Sequence, residues 1–145
     1  MYIIPDGKLR APVTMPISDR QYMFREHYTA IISDGKSVWM IGIDPGFKFD
    51  GASIPRFAWT ITGVYPMAAM IQAPAGIHDA LYASRYLPRK TNDKIFRRDL
   101  GRNGYSWFIR ATFYRCVRSF GGFAYMSHTE ESIQNARKFV KIVQV

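Results

Sequence analysis

Apolar and polar residues alternate with a period of two only in the first third of the chain. Tyr28, Ala30 and Ile32 alternate with Thr29, Ile31 and Ser33, and Trp39, Ile41 and Ile43 with Val38, Met40 and Gly42. Successive side chains of a strand point to opposite faces, so each run predicts a half-buried strand. Asp34-Gly35 between them is a hairpin signal, because both residues tolerate positive φ. Asp44-Pro45-Gly46 predicts a second turn, and Phe47 and Phe49 alternate with Lys48 and Asp50 in a short third strand. Residues 1–21, with Pro5, Pro12 and Pro16, predict an extended arm or edge strand, since proline cannot donate to a ladder. Tyr2-Ile3-Ile4 and Thr14-Met15-Pro16-Ile17 are its expected points of attachment.

Beyond residue 50 the period lengthens. Ser53 and Pro55 form a turn that could cap and open a short helix, and Phe57 to Ile61 read as a helix or turn. Pro66 predicts a helix start running to Gln72. Pro74 predicts a break, because it lacks an amide donor and clashes with the preceding turn. A separate helical piece is then expected over about 75–84. Thr91 or Asn92 could cap the next helix, which carries Ile95, Phe96 and Leu100 and stops at Asn103-Gly104. Another is expected from Ser106 to Ser119, with Ile109, Phe113, Cys116 and Phe120 on its apolar stripe. Gly121-Gly122 ends it, and Phe123, Tyr125 and Met126 read as a loop or edge strand. Thr129 followed by Glu130 and Glu131 opens a last amphipathic helix towards Phe139 and Val140.

Together these elements predict an α+β fold, in which a small antiparallel N-terminal sheet packs against three to five C-terminal helices. Residues 1–145 then make one domain, with a proline-rich arm over 1–21 and a helical extension over 123–145. The apolar share of 48% excludes a disordered adaptor. The single cysteine, Cys116, excludes a disulfide-stapled scaffold and a Cys-rich zinc site, and its neighbours read as core. No apolar run is long enough for a transmembrane segment, and no signal-peptide pattern opens the chain, so synthesis and folding in a cytoplasm are expected. The net charge of +9 fits attraction to a polyanion without naming one.

Reactive side chains gather in two places. On a regular helix His78 and Tyr82 share a face, whereas Asp79 lies about 100° round from His78. His78 could serve as a general base or metal ligand, and Asp79 could bind a cation. Asp50, at the end of a predicted strand, could point into a cleft. A catalytic set of His78, Asp79 and Asp50 follows, as does a divalent-metal set of Asp50, His78, Asp79 and Asp93. The opposing reading is a structural network in which the carboxylates cap turns or pair with arginines. Ser53 is better read as a cap than as a nucleophile. Arg97, Arg98 and Arg102 form a candidate anion-binding stripe, with Arg110, Arg115 and Arg118 adding charge nearby. No groove-reading motif accompanies them, which argues against specific nucleic-acid binding. His27 reads as structural or solvent-facing, and Tyr105 and Trp107 as core.

Two resemblances bear on these residues. The helical His78-Asp79-x-x-Tyr82 arrangement is locally similar to that of secreted phospholipases A2, although their glycine-rich calcium loop and cysteine framework are missing here. The similarity implies only geometry, namely that Asp93 or Asp99 on the following helix supports His78. The wider pattern resembles the bacteriophage-associated DUF1353 family. It runs from Pro45-Gly46-Phe47 through Asp50-Gly51-Ala52-Ser53-Ile54-Pro55 and His78-Asp79-Ala80-Leu81-Tyr82. It continues through Asp93, Phe96 and Gly104 to Tyr114, Val117, Arg118, Phe120 and Gly121. The resemblance implies a small phage or prophage protein whose characteristic polar positions are Asp50, Ser53, His78, Asp79 and Asp93. Two classes of function remain open, one carried by the cluster of ionisable residues and one by the arm, aromatic surface and terminal helix. One is a metal-dependent hydrolase acting on an anionic or cell-envelope substrate. The other is a non-enzymatic virion component (tail, baseplate or connector) or host-interaction protein, bound to phage structural proteins or to itself. In either case the host cytoplasm is the expected place of synthesis, with incorporation into the virion in the second.

Overall fold

A computed structural model describes residues 5–19, 21–50, 54–65 and 68–145. In chain order the elements are β1 (Thr14–Pro16), β2 (Tyr22–Phe24), β3 (Tyr28–Ser33), β4 (Val38–Ile43), β5 (Lys48–Phe49), α1 (Arg56–Thr62) and α2 (Ala69–Ser84). They continue with α3 (Arg89–Arg102), α4 (Trp107–Phe120), α5 (Gly122–Met126), α6 (Glu130–Arg137) and β6 (Val140–Gln144). The α+β class holds. Two three-stranded antiparallel sheets are present, ordered β1-β2-β5 and β3-β4-β6. Among the described residues no helix is long and apolar enough to cross a membrane.

The β3–β4 hairpin pairs from Tyr28 with Ile43 to Ser33 with Val38. Its turn works differently from a two-residue loop. Only Gly35 takes positive φ (99°). Asp34 instead accepts the amides of Lys36 and Ser37 through one carboxylate oxygen, both at 2.9 Å. The arm contributes β1, whose Pro16 sits on an outer strand as proline must. Tyr2-Ile3-Ile4 and Ser53 lie outside the described residues.

Several expectations change, among them the start of α3, which opens at Arg89 after Pro88 and not at a Thr91 or Asn92 cap. The tail does not stay helical: α6 stops at Arg137, and Val140–Gln144 forms β6 alongside β4. The β-branched Val140, Ile142 and Val143 favour an extended backbone there. Phe123 to Met126 form a short helix, α5, not a loop or strand. Pro74 does not break its helix, since α2 runs through it from Ala69 to Ser84. A proline orphans the carbonyl four residues before it. Here that carbonyl, Met70 O, accepts Asn103 Nδ2 at 2.7 Å. The same amide accepts Leu9 N on its Oδ1 at 3.0 Å, so one buried side chain repairs the helix and ties down the arm.

Helix α2 is the axis of the molecule. Every residue from Ala73 to Ser84 is buried. Ala73, Ile77, Ala80 and Leu81 join the strand residues Phe24, Ile32, Ile41, Ile43 and Phe49 in one core. Ile71 and Ala75 join Ile54, Ala58, Phe96, Leu100, Phe113, Cys116 and Val117 in a second core among the helices. Gly76 allows the close approach to the sheet, because a Cβ there would stand 3.0 Å from the Phe24 ring. Trp107, expected inside, is 65% exposed, while Tyr105 packs against the second core.

Candidate functional site

A helix buried all round must satisfy each polar side chain it carries. His78 and Asp79 are adjacent on α2 and do so on different sides. His78 turns towards α3, where its Nε2 lies 2.8 Å from Asp93 Oδ1, with both side chains fully buried. Its ring stacks on Phe96, with centroids 4.6 Å apart. One turn later Tyr82 donates its hydroxyl to the same Asp93 oxygen at 2.5 Å. The other oxygen, Oδ2, accepts Arg118 Nη1 from α4 at 2.8 Å. Asp93 therefore ties three helices together. Arg89 braces this node by donating Nη2 to Arg118 O at 2.6 Å.

Burial alone would raise the Asp93 pKa, but hydrogen bonds and charge from His78, then Tyr82 and Arg118, hold it below the usual carboxylate range. Burial first, then the bond to Asp93, pushes the Tyr82 phenol strongly upward. The interior group is thus a carboxylate with a committed imidazole and phenol around it, sealed from water.

Asp79 turns the other way, towards the end of β5. Its Oδ2 accepts the Asp50 amide at 3.1 Å. Both carboxylates line an open cleft of about 260 Å³ together with Gln21, Lys48, Tyr82 and His128. Ala124 and Ser127 of the α5 segment form its far wall. Arg85 holds that wall in place from the end of α2. It adopts positive φ (51°), stacks its guanidinium 4.4 Å from the Tyr125 ring centroid and donates to Tyr125 O at 2.7 Å. His128 is half-buried beside the two acids. Burial and the Arg85 charge lower its pKa, outweighing the opposing pull of Asp79 and Asp50.

The sequence-derived site residues thus divide between two places. Of the two partners expected for His78, Asp93 is the one it meets, and Asp99 plays no part in that pair. Asp50 and Asp79 meet at the cleft. Among the described residues no group of three or more His, Cys, Asp or Glu is arranged to hold a metal ion. The set of Asp50, His78, Asp79 and Asp93 is shared between a sealed node and an open cleft.

The arginine stripe is dispersed as well. Arg102 donates to Gly7 O at 2.8 Å and Ile31 O at 2.6 Å, clamping the arm to β3. Arg97 lies 5.3 Å from the Tyr114 ring centroid, and Arg98 acts on the buried Asp99. Pro55 precedes α1 without a side-chain cap bond. His27 makes an exposed pair with Asp44 at 2.8 Å, a surface role as expected.

Sequence reasoning overlooked His128. It precedes the Thr129 cap of α6, and no periodic pattern links it to Asp50 or Asp79 far earlier in the chain. Only the folding of α5 back onto α2 makes it part of the cleft.

A family described as "Protein of unknown function (DUF1353)" matches residues 27–117, well over half of the chain. The chain belongs to the DUF1353 family. Neither a curated protein nor a solved structure matches it. The matched DUF1353 span holds Asp50, His78, Asp79 and Asp93, whereas His128 and the α5 wall lie beyond it.

Proposed function

We propose that this DUF1353 protein is a phage- or prophage-encoded hydrolase acting on a cell-envelope polymer at the Asp50–Asp79–His128 cleft. One observation carries the reading: two carboxylates and an imidazole biased towards its neutral form share one open cavity. A neutral imidazole near neutral pH can take a proton from water, and a facing carboxylate stabilises the imidazolium that results. Asp79, fixed by the Asp50 amide, suits that second role. The sealed node around Asp93 then acts as scaffold, setting the rotation of α2 and with it the direction of Asp79.

The cleft also narrows the substrate. Two carboxylates repel an anion, and Lys48 is the one lysine or arginine among the described lining residues. A neutral glycosidic or amide bond fits better than a phosphate ester. The phage or prophage setting rests on the family resemblance.

The test is release of soluble fragments from dye-labelled cell-wall sacculi by purified protein. His128→Gln and Asp79→Asn are each expected to lower the rate by about a hundredfold, the usual weight of general acid–base catalysis. Absence of release, or release that both variants retain, would refute the reading.

A non-enzymatic virion component is the second reading, and the outer strand of the first sheet favours it. β1 is an outer strand that carries exposed Met15, with exposed Val13 and Ile17 on either side, a surface on which a neighbouring strand could pair. Purified particles would then contain the protein in fixed stoichiometry, and their lack of it would count against this role.

A further inference from the structure

Beside the cleft the molecule carries an apolar ridge. On α1, Phe57 and Ile61 are four residues apart and share a face. Phe57 meets Phe120, the last residue of α4, edge to face with centroids 4.9 Å apart. Gly121 keeps helical backbone angles (φ −69°, ψ −14°), so the path continues into α5 and sets Phe123 and Met126 at successive spacings of three. The five side chains are 42% to 87% exposed, with Phe123 the most exposed. At 87% exposure Phe123 projects from the surface instead of lying in a flat patch.

The two sequence segments that carry this ridge bear charge of one sign. From residue 103 to residue 129 the chain contains no Asp or Glu but carries Arg110, Arg115 and Arg118, of which Arg118 is paired with Asp93. From residue 51 to residue 78 it contains none either, and Arg56 precedes Phe57. Arg56 and Arg115 are exposed. Carboxylates resume only at Glu130, where α6 begins.

We propose that this ridge is a docking surface for the interface of an anionic lipid bilayer, with Phe123 and Met126 entering the headgroup region and arginines meeting lipid phosphates. Projecting aromatic and thioether side chains flanked by exposed Arg56 and Arg115 match an interface that is apolar within and negative outside. A fluid bilayer accepts projecting side chains without a matching groove. The proposal is independent of the hydrolase reading. Ala124 and Ser127 of the same short segment face the cleft, so a docked molecule would hold the cleft mouth close to the membrane surface.

Co-sedimentation with vesicles tests it, using phosphatidylcholine alone and phosphatidylcholine mixed with phosphatidylglycerol. Wild-type protein is expected to sediment with the mixed vesicles, more strongly at low salt, and to stay in solution with the neutral ones. Phe123→Ser combined with Met126→Ser removes two exposed side chains without touching either core, and is expected to weaken binding by about tenfold or more. Circular dichroism confirms that the variant is folded. Absence of binding to mixed vesicles, equal binding to both vesicle types, or binding that the double variant retains would each overturn the proposal. A solution dimer that the double variant dissociates would assign the ridge to a second copy of the chain and overturn it too.

Discussion

Asp99→Asn isolates the effect of one buried carboxyl on stability. Asp99 lies on α3, fully buried, with Arg102 Nη1 at 3.4 Å from Oδ1 and no hydrogen-bond partner for Oδ2 among the described residues. Burial raises its pKa from 3.8 to about 7, and the charges of Arg102 and Arg98 only partly oppose this. The sign follows from counting protons. Between pH 3.8 and about 7 the folded chain holds a proton that the unfolded chain has released, so stability falls as pH rises through that window. Each pH unit corresponds to about 1.4 kcal/mol, so the whole interval amounts to about 4 kcal/mol. Asparagine resembles the neutral carboxyl and does not titrate. The variant is therefore expected to match wild type near pH 4 and to exceed it by a margin that grows to about 4 kcal/mol above pH 7. Urea unfolding of both proteins at a series of pH values measures the difference directly, and titrations common to both cancel. Parallel stability profiles across the window would refute the reasoning.

Two further outcomes follow from the interior. Asp93→Ala leaves Arg118, Tyr82 and His78 without their shared acceptor and is expected to cost about 3–5 kcal/mol in urea unfolding. Since the Asp93 pKa is depressed, its contribution is complete above the unfolded value and lost as pH falls through the lower folded value, so the gap between wild type and variant closes only in strong acid. Asn103→Ala abandons both Met70 O and Leu9 N and is expected to destabilise by about 2–4 kcal/mol. Hydrogen exchange at Leu9 should speed up in that variant, and unchanged exchange there would contradict the bridging role.

Elements governed by local chemistry were legible in the chain. Asp34-Gly35 marked the hairpin, Thr129 with Glu130 and Glu131 marked the start of α6, and Asn103-Gly104 marked the end of α3. That an acid of the next helix supports His78 was implied by the local similarity to phospholipases A2, but the choice of Asp93 over Asp99 came only with the fold. What escaped depends on distant partners. Pro74 reads as a helix breaker until Asn103, twenty-nine residues later, supplies the missing donor. Val140 to Gln144 reads as the end of a helix until β4 offers it a ladder. His128 gains meaning only from the fold of α5, and Arg102 reads as an anion ligand until the arm lies across it.

The place of β6 has a consequence for how the chain reaches its native state. The β3–β4 hairpin can form early from neighbouring residues, but its second partner is encoded about a hundred positions further on, a separation that slows folding. During synthesis β4 therefore has an unpaired edge, with Met40 and Ile41 along it, until the last strand emerges. A nascent chain halted anywhere in the helical region would carry that edge uncovered. Such a chain is a candidate for self-association or for capture by a chaperone, even though its central helix has already been made.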